Sequence, residues 1–201
     1  MGDFENQITT AVVIFDLDGT LIDSADSILW CLKFALEENC IYPQEPLTKT
    51  LIGPPLSAVI NTLCGNSDTD KNEDVANLFR RKYDTEGCLM AKPYDGVVTL
   101  LSKLRKRGCR IFLATNKRKI PMKRIIEHLG WVWFFEGAYS LDSFDPILTS
   151  KSDLIRTVID LHKIKSSDAT YVGDRVEDRH AAWQNSIEYV MVTWGYDFKC
   201  S

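Results

Sequence analysis

The chain has 201 residues, enough for one well-packed core that carries a small inserted domain. Its formal net charge is −4 and it has no stripe of basic residues, which argues against binding to nucleic acid or to an anionic membrane surface. No apolar run reaches the roughly 20 residues that a membrane-spanning helix needs, and the first residues lack the basic and apolar regions of a signal peptide.

Patterns typical of strands alternate with patterns typical of helices along most of the chain. Short apolar runs predict five buried strands, at residues 11–15, 110–115, about 136–140, 169–173 and 189–193. Amphipathic periodicity predicts helices between them, at residues 95–107, 120–129 and 152–163. This alternation predicts an α/β fold with a parallel sheet that is covered by helices on both faces.

Residues 24 to 90 follow a different pattern. They contain helical stretches at 25–39, 55–64 and 73–84 and no convincing strand, and the polar residues 65–74 are interpreted as a solvated loop. We therefore expect an all-helical cap domain at residues 23–90, inserted after the first strand. The core domain is then formed by residues 1–22 together with residues 91–201.

The six cysteines do not indicate a metal site. They form no C-x-x-C pair and do not group with the three histidines, so zinc is not expected. Several lie in apolar periodic segments, where a free cysteine behaves as a small buried hydrophobe. We therefore expect a reducing compartment and a cytoplasmic location.

Polar residues stand where the predicted strands end, which is the edge where open α/β sheets bind their ligands. Asp16 and Asp18 end the first strand and face the same side, roughly 6–7 Å apart, so both carboxylates can reach one small site. Gly19 allows the backbone to turn. The other polar residues at such positions are Thr20, Thr115, Asn116, Lys151, Asp174 and Asp178.

The charges of these residues indicate a bound cation. Four aspartates bring four negative charges, and a phosphate dianion would add two more. Lys151, one Mg²⁺ and one proton on a carboxyl group would together bring the site near neutrality. Hard oxygen ligands suit Mg²⁺ better than zinc, so the arrangement suggests metal-assisted phosphoryl transfer through an aspartyl-phosphate intermediate.

These residues also carry a resemblance to a known family. The stretch DLDGT at residues 16–20 resembles the D-x-D-G-T motif of the haloacid dehalogenase superfamily, and Thr115, Lys151 and the stretch at 173–178 resemble its other three motifs, in the same order. The resemblance runs from about residue 11 to residue 196. Residues 51–56 resemble the cap loop of phosphoglycolate-phosphatase-like members. The resemblance implies a Rossmann-like three-layer core and a helical C1-type cap.

The resemblance also implies a role for each matching residue. Asp16 would attack phosphorus, and Asp18 would protonate the leaving oxygen and later accept a proton from water. Lys151 would neutralise charge as the transition state forms. Thr115 and the amide of Asn116 would bind phosphate oxygens.

The implied metal site and substrate contacts follow in the same way. Mg²⁺ would be held by Asp16, by the backbone carbonyl of Asp18 and by Asp174, with Asp178 as a ligand directly or through water. Residues expected to help bind the phosphate ester are Gly19, Thr20 and Gly53.

The expected function is a Mg²⁺-dependent phosphatase that hydrolyses a small phosphorylated metabolite, of the phosphoglycolate or nucleoside monophosphate class. A sugar phosphomutase of the same fold stays open. A catalytically silent binding protein also stays open, because the family often has Pro where Ser152 stands, and usually has a small residue and Gly within residues 183–186. The missing Gly is expected to alter the turn after the last helix.

Two further points are interpreted from the pattern alone. The short basic run at residues 116–119 is interpreted as a solvated surface. The state of assembly is left as a monomer or a homodimer.

Overall fold

The computed structural model describes residues 4–65 and 69–196. The chain forms two compact units. One contains the residues up to Asp23 together with those from Lys92 onward, and the other contains Ser24–Ala91.

The first unit is built around a parallel sheet. Its strands are β1 (Val12–Phe15), β2 (Ile22–Asp23), β3 (Lys92–Pro93), β4 (Arg110–Thr115), β5 (Gly137–Ser140), β6 (Ala169–Gly173) and β7 (Glu188–Met191). Its α-helices are α4 (Val97–Lys106), α5 (Lys119–His128), α6 (Lys151–Leu161) and α7 (Val176–Gln184). Its 3-10 helices are Phe4–Gln7, Val132–Phe134, Leu141–Ser143 and Ser166–Asp168.

Five strands lie in the order β5-β4-β1-β6-β7, all parallel, and β2 pairs separately with β3 in the antiparallel sense. The predicted α/β fold with a parallel sheet is confirmed.

The central strand β1 is buried on both faces. Val12 and Ile14 belong to a core cluster with residues of α6 and α7, while Val13 and Phe15, which point to the opposite face, are also fully or nearly fully buried. This is why the strand is a continuous apolar run with no alternation.

The order of the strands decides where a site can form. The chain moves from β1 outward to β4 and β5, then returns to the other side of β1 with β6 and β7. Right-handed crossovers therefore place α4 and α5 on one face of the sheet and α6 and α7 on the other. The direction of winding reverses at β1, and the ends of β1, β4 and β6 surround the crevice where such sheets bind ligands.

The inserted unit is helical. Its helices are α1 (Ala25–Glu38), α2 (Leu56–Cys64) and α3 (Thr69–Thr85), with 3-10 helices at Lys49–Leu51 and Gly87–Met90. Each helix buries one apolar stripe, such as Leu32 and Leu36 of α1 and Val75 and Phe79 of α3. None of the described helices in either unit is both long enough and apolar enough to span a bilayer.

The prediction of a loop at 65–74 is wrong for residues 69–74, because α3 already begins at Thr69. Residues 66–68 lie outside the described residues. The first turn of α3 is polar and solvent-facing, with Asp70 at the positive end of the helix dipole, so it carries no apolar periodicity. The two-residue pair of β2 and β3 was also not predicted, because so short a ladder has no pattern of its own.

The expectation that the turn after α7 is altered is wrong as well. Ser186 takes the left-handed conformation with φ +54, the conformation that glycine adopts most readily, and Ile187 N–H donates to the Ala182 carbonyl at 3.2 Å. Helix α6 ends in the same way, with Lys163 at φ +53 and a bond from Ile164 N–H to the Ile159 carbonyl at 2.9 Å. Both helices thus keep a glycine-type ending without glycine.

These two endings predict the effect of restoring glycine. Ser186→Gly and Lys163→Gly should each raise the free energy of unfolding by about 0.5–1 kcal/mol, because the left-handed conformation is strained for a residue with a Cβ. Gln184→Gly, in the last turn of α7 at helical dihedrals, should instead lower it by about 1 kcal/mol. Urea unfolding measures all three. Destabilisation by the first two variants as large as that by Gln184→Gly would contradict this prediction.

Candidate active site

Three carboxylates meet where β1 and β6 end. Asp16 directly follows β1, Asp174 directly follows β6, and Asp178 lies in the first turn of α7. One oxygen from each carboxylate lies within 4.8 Å of the other two, and all three residues are buried. Neighbouring parallel strands bring these groups together although they are about 160 residues apart in the chain.

The ammonium group of Lys151 lies against two of these carboxylates. Its Nζ is 3.1 Å from Asp16 Oδ2 and donates a hydrogen bond to Asp178 Oδ1 at 2.5 Å, and only 2% of its side chain is exposed. Lys151 begins α6, and the Ser150 hydroxyl caps this helix by accepting a hydrogen bond from Asp153 N–H at 3.1 Å. The start of α6 therefore fixes the backbone that carries the buried ammonium group.

Burial and mutual interaction shift the pKa values of these groups. Burial raises the pKa of Asp16, although the Lys151 ammonium opposes this effect. Burial, together with the charge on Asp16, raises the pKa of Asp174 to about 7. Burial acts to lower the pKa of Lys151, but the carboxylates of Asp16 and Asp178 outweigh it and raise that pKa above its ordinary value.

One oxygen of the cluster indicates a cation. Asp16 Oδ1 is buried and has no hydrogen-bond partner among the residues that the structure describes. A buried carboxylate oxygen without a donor is unfavourable, and three ionised carboxylates with one ammonium leave two negative charges. A divalent ion bound by oxygen ligands would satisfy this oxygen and offset the charge, so these residues fit Mg²⁺.

The oxygens of Asp178 already have partners within the protein. Oδ1 accepts the hydrogen bond from Lys151, and Oδ2 accepts one from Arg175 N–H at 3.0 Å. Asp174 is bound by Tyr196 N–H, which donates to its Oδ2 at 2.8 Å. The contacts of Asp178 favour the predicted role through water over direct ligation.

Two glycines allow Asp174 to lie close to the loop between β1 and β2. Gly19 has φ +79, and a Cβ there would lie 2.3 Å from Asp174 Oδ2. A Cβ on Gly195 would lie 2.2 Å from the Asp174 Cβ and 2.6 Å from the Gly19 carbonyl oxygen. Since real Cβ atoms do not come so close to other atoms, any side chain at either position would displace Asp174.

Asp18 has a partner that the sequence did not reveal. Lys117 Nζ lies 2.9 Å from each Asp18 carboxylate oxygen, and 5% of the Lys117 side chain is exposed. The interpretation of residues 116–119 as a solvated surface is therefore wrong for Lys117. The only feature of the sequence that indicates a place for Lys117 in the site is its position two residues after Thr115, at the end of β4.

The remaining predicted residues lie as follows. Thr115 is buried at the end of β4, and its Oγ1 accepts a hydrogen bond from Lys117 N–H at 3.2 Å. The Thr20 hydroxyl is 3.5 Å from Asp174 Oδ1. Asn116 is exposed, and its side-chain amide donates to Glu177 at 3.3 Å. Gly53 lies in the inserted unit with φ +115, and its role in binding substrate stays a prediction.

Comparison with known proteins places this geometry in a family. Residues 13–192 match the family model described as haloacid dehalogenase-like hydrolase. The chain is 33% identical over 186 residues to a tyrosine-protein kinase, PtkA, from Mycobacterium tuberculosis; the match covers 92% of this chain but only 62% of the relative's length.

Other relatives have different names. The chain is 29% identical over 185 residues to a 5'-nucleotidase from Pseudomonas aeruginosa, covering 92% of this chain and 83% of that one. It is 29% identical over 188 residues to a phosphoglycolate phosphatase from Aquifex aeolicus, covering 92% and 85%. A crystal structure of a predicted phosphatase from Clostridium acetobutylicum is similar with a TM-score of 0.78 and 33% identity, over 93% of this chain and 86% of that one.

The Lys117–Asp18 pair predicts a loss of stability when the lysine is removed. Lys117→Met should lower the free energy of unfolding by about 1–3 kcal/mol, because a largely buried carboxylate loses the ammonium group that contacts both of its oxygens. Lys123→Met, at an exposed position of α5, is the matched control and should change it by less than about 0.5 kcal/mol. Urea unfolding at neutral pH compares them, and equal losses in the two variants would contradict the prediction.

The raised pKa of Asp174 predicts a pH dependence in metal-free protein. The folded state favours the protonated carboxyl group, so its contribution to stability is complete below about pH 4 and is lost as the pH rises through about 7. Asp174→Asn keeps an acceptor for Tyr196 N–H and carries no charge. The variant should therefore gain stability relative to the wild type as the pH rises from 4 to 8, by several kcal/mol at most.

Thermal unfolding of both proteins in excess chelator measures this difference. A difference in stability that does not change between pH 4 and pH 8 would show that Asp174 titrates as an ordinary carboxyl group.

Proposed function

The chain belongs to the haloacid dehalogenase-like hydrolases, and on that premise we propose that it is a Mg²⁺-dependent phosphatase that hydrolyses a small phosphate ester. The proposal depends on the buried cluster of Asp16, Asp174, Asp178 and Lys151, in which Asp16 Oδ1 has no hydrogen-bond partner within residues 4–65 and 69–196. Such a cluster needs a cation to be stable, and the cation in turn allows a phosphate dianion to enter.

Asp16, Asp174 and the backbone carbonyl of Asp18 are the proposed ligands of the ion, with Asp178 acting through water. Mg²⁺ bound there would polarise the phosphate oxygens and offset part of their charge. Lys151, held by Asp16 and Asp178, adds a fixed positive charge where negative charge builds up on the transferring group.

The reaction proceeds in two displacements. A carboxylate oxygen of Asp16 forms a bond to phosphorus while the bond from phosphorus to the leaving oxygen breaks, and Asp18 gives that oxygen a proton. Water then attacks the phosphorus of the aspartyl-phosphate, Asp18 takes a proton from this water, and inorganic phosphate and free Asp16 result. Thr115 and the amide of Asn116 hold the phosphate oxygens during both steps.

The contact between Asp18 and Lys117 adds a requirement to this scheme. The Lys117 ammonium group contacts both carboxylate oxygens of Asp18 at 2.9 Å. Asp18 must therefore separate from Lys117 before one of its oxygens can exchange a proton with the leaving oxygen.

The names of two relatives support the substrate class. One is a 5'-nucleotidase and one a phosphoglycolate phosphatase, each matching 92% of this chain. We propose nucleoside monophosphates and phosphoglycolate as the first candidates. Gly53 is the residue of the inserted unit proposed to contact the ester.

Other phosphoryl acceptors define the second candidate. The relative named as a tyrosine-protein kinase is 33% identical to this chain, and a phosphomutase would use the same cluster. Both would pass the phosphoryl group to a hydroxyl group instead of water. Phosphorus NMR of the products distinguishes them, since a phosphatase releases inorganic phosphate whether or not an acceptor sugar or tyrosine peptide is present.

The expected setting is a reducing, cytoplasmic one. Cys31, Cys88 and Cys109 are buried as free thiols, which supports this expectation. The state of assembly, monomer or homodimer, stays a prediction.

Replacement of the nucleophile tests the proposed function. Asp16→Asn should lower the hydrolysis of p-nitrophenyl phosphate at least about 1,000-fold, because an amide oxygen does not displace the leaving group. Asp160→Asn, at an exposed position of α6, is the control and should keep full activity. Excess chelator should stop the wild type, and added Mg²⁺ should restore it.

An Asp16→Asn variant that hydrolyses p-nitrophenyl phosphate as fast as the wild type would exclude the aspartyl-phosphate route. A wild type without metal-dependent turnover on a broad panel of phosphorylated metabolites would instead favour a catalytically silent binding protein.

A further inference from the structure

A side-chain amide at the C-cap of α7 is hydrogen-bonded to the first turn of α6. Asn185, the C-cap residue that directly follows α7, donates from Nδ2 to the Ser152 carbonyl at 3.0 Å and to the Ala181 carbonyl at 2.8 Å. The same nitrogen lies 3.2 Å from Ser152 Oγ. Ser152 is the neighbour of Lys151. The residue next to the buried ammonium group is thus bonded across to another helix.

Asp178 and Asn185 lie on the same face of α7. They are seven residues apart, which is close to two helical turns, and the small buried residues Ala181 and Ala182 lie between them. Two consecutive residues of α6 therefore contact the two ends of one helix face. Lys151 is bonded to Asp178 at one end, and Ser152 is bonded to Asn185 at the other.

We propose that Asn185 is a positioning residue for Lys151. Leu154, Ile155 and Val158 pack the body of α6 into the core. The hydrogen bond from Asn185 adds a directional contact in the first turn, beside Lys151 and two turns away from Asp178 along α7. The inference rests on the proposed phosphatase function, in which the Lys151 ammonium must meet charge on the transferring phosphoryl group. A displacement of about 1 Å in such a group costs up to about 100-fold in rate.

A double-mutant cycle on the catalytic rate tests the inference. In the wild-type background, Asn185→Ala is expected to lower kcat for p-nitrophenyl phosphate about 10-fold and to leave KM within about twofold. In the Lys151→Met background, the same change is expected to lower the residual kcat by less than about twofold, since the group it positions is gone. Gln184→Ala, which removes the exposed amide next to Asn185, is the matched control and is expected to leave kcat unchanged.

The stability of each variant, measured by urea unfolding, separates positioning from folding. Asn185→Ala is expected to destabilise both backgrounds equally while its effect on kcat differs between them. Asn185→Ser replaces Asn185→Ala in the same cycle if the alanine variant does not fold.

Equal fold losses of kcat in the two backgrounds would overturn the inference, and so would an Asn185→Ala variant with unchanged kcat. A wild type with no turnover at all would count against the proposed phosphatase function itself, so the two failures are distinguishable.

Discussion

The structure depends on one buried ammonium group placed between two carboxylates. Lys151 lies against Asp16 and Asp178 with almost no exposure to water, in a region where an unpaired charge would destabilise the fold by several kcal/mol. Its surroundings contain more negative than positive charge, because Asp174 completes the cluster. Everything we propose about function follows from this imbalance, which a divalent cation corrects.

The fold meets this constraint with ordinary elements. Parallel strands bring the loops after β1 and β6 to one edge of the sheet, and the reversal of winding at β1 leaves a crevice there. Gly19 and Gly195 allow the first loop and the segment after β7 to contact Asp174 closely. The helices α6 and α7 carry Lys151 and Asp178 in their first turns, so the packing of one helix on the other sets the distance between the two charges.

The sequence predicted most of what local patterns can encode. The strands at 110–115 and 169–173 agree with β4 and β6 at both ends, because each is an apolar run bounded by polar or turn residues. The predicted candidates Asp16, Asp174, Asp178 and Lys151 lie together because residues at the ends of parallel strands share one edge. The first turn of α3 and the pairing of β2 with β3 were missed, since neither has an apolar period.

The features of the site that the sequence did not predict depend on contacts between residues far apart in the chain. Lys117 reaches Asp18 across 99 positions of sequence, and a lysine within a basic run gives no sign that it will be buried. The hydrogen bond from Asn185 to Ser152 joins residues 33 positions apart, and only the packed helices show that they contact each other. Ser186 occupies a glycine-type turn because the helix ending is held by backbone hydrogen bonds, which any residue can form at a modest energetic cost.

Calorimetric titration of metal-free protein with Mg²⁺ at pH 8 measures whether the carboxylates of Asp16, Asp174 and Asp178 form an incomplete site without a cation. We expect one ion to bind per chain in the wild type and no measurable binding at the same concentrations in Asp174→Asn. Binding of equal strength in the two proteins would contradict it, because the ion would then lie somewhere other than the buried cluster.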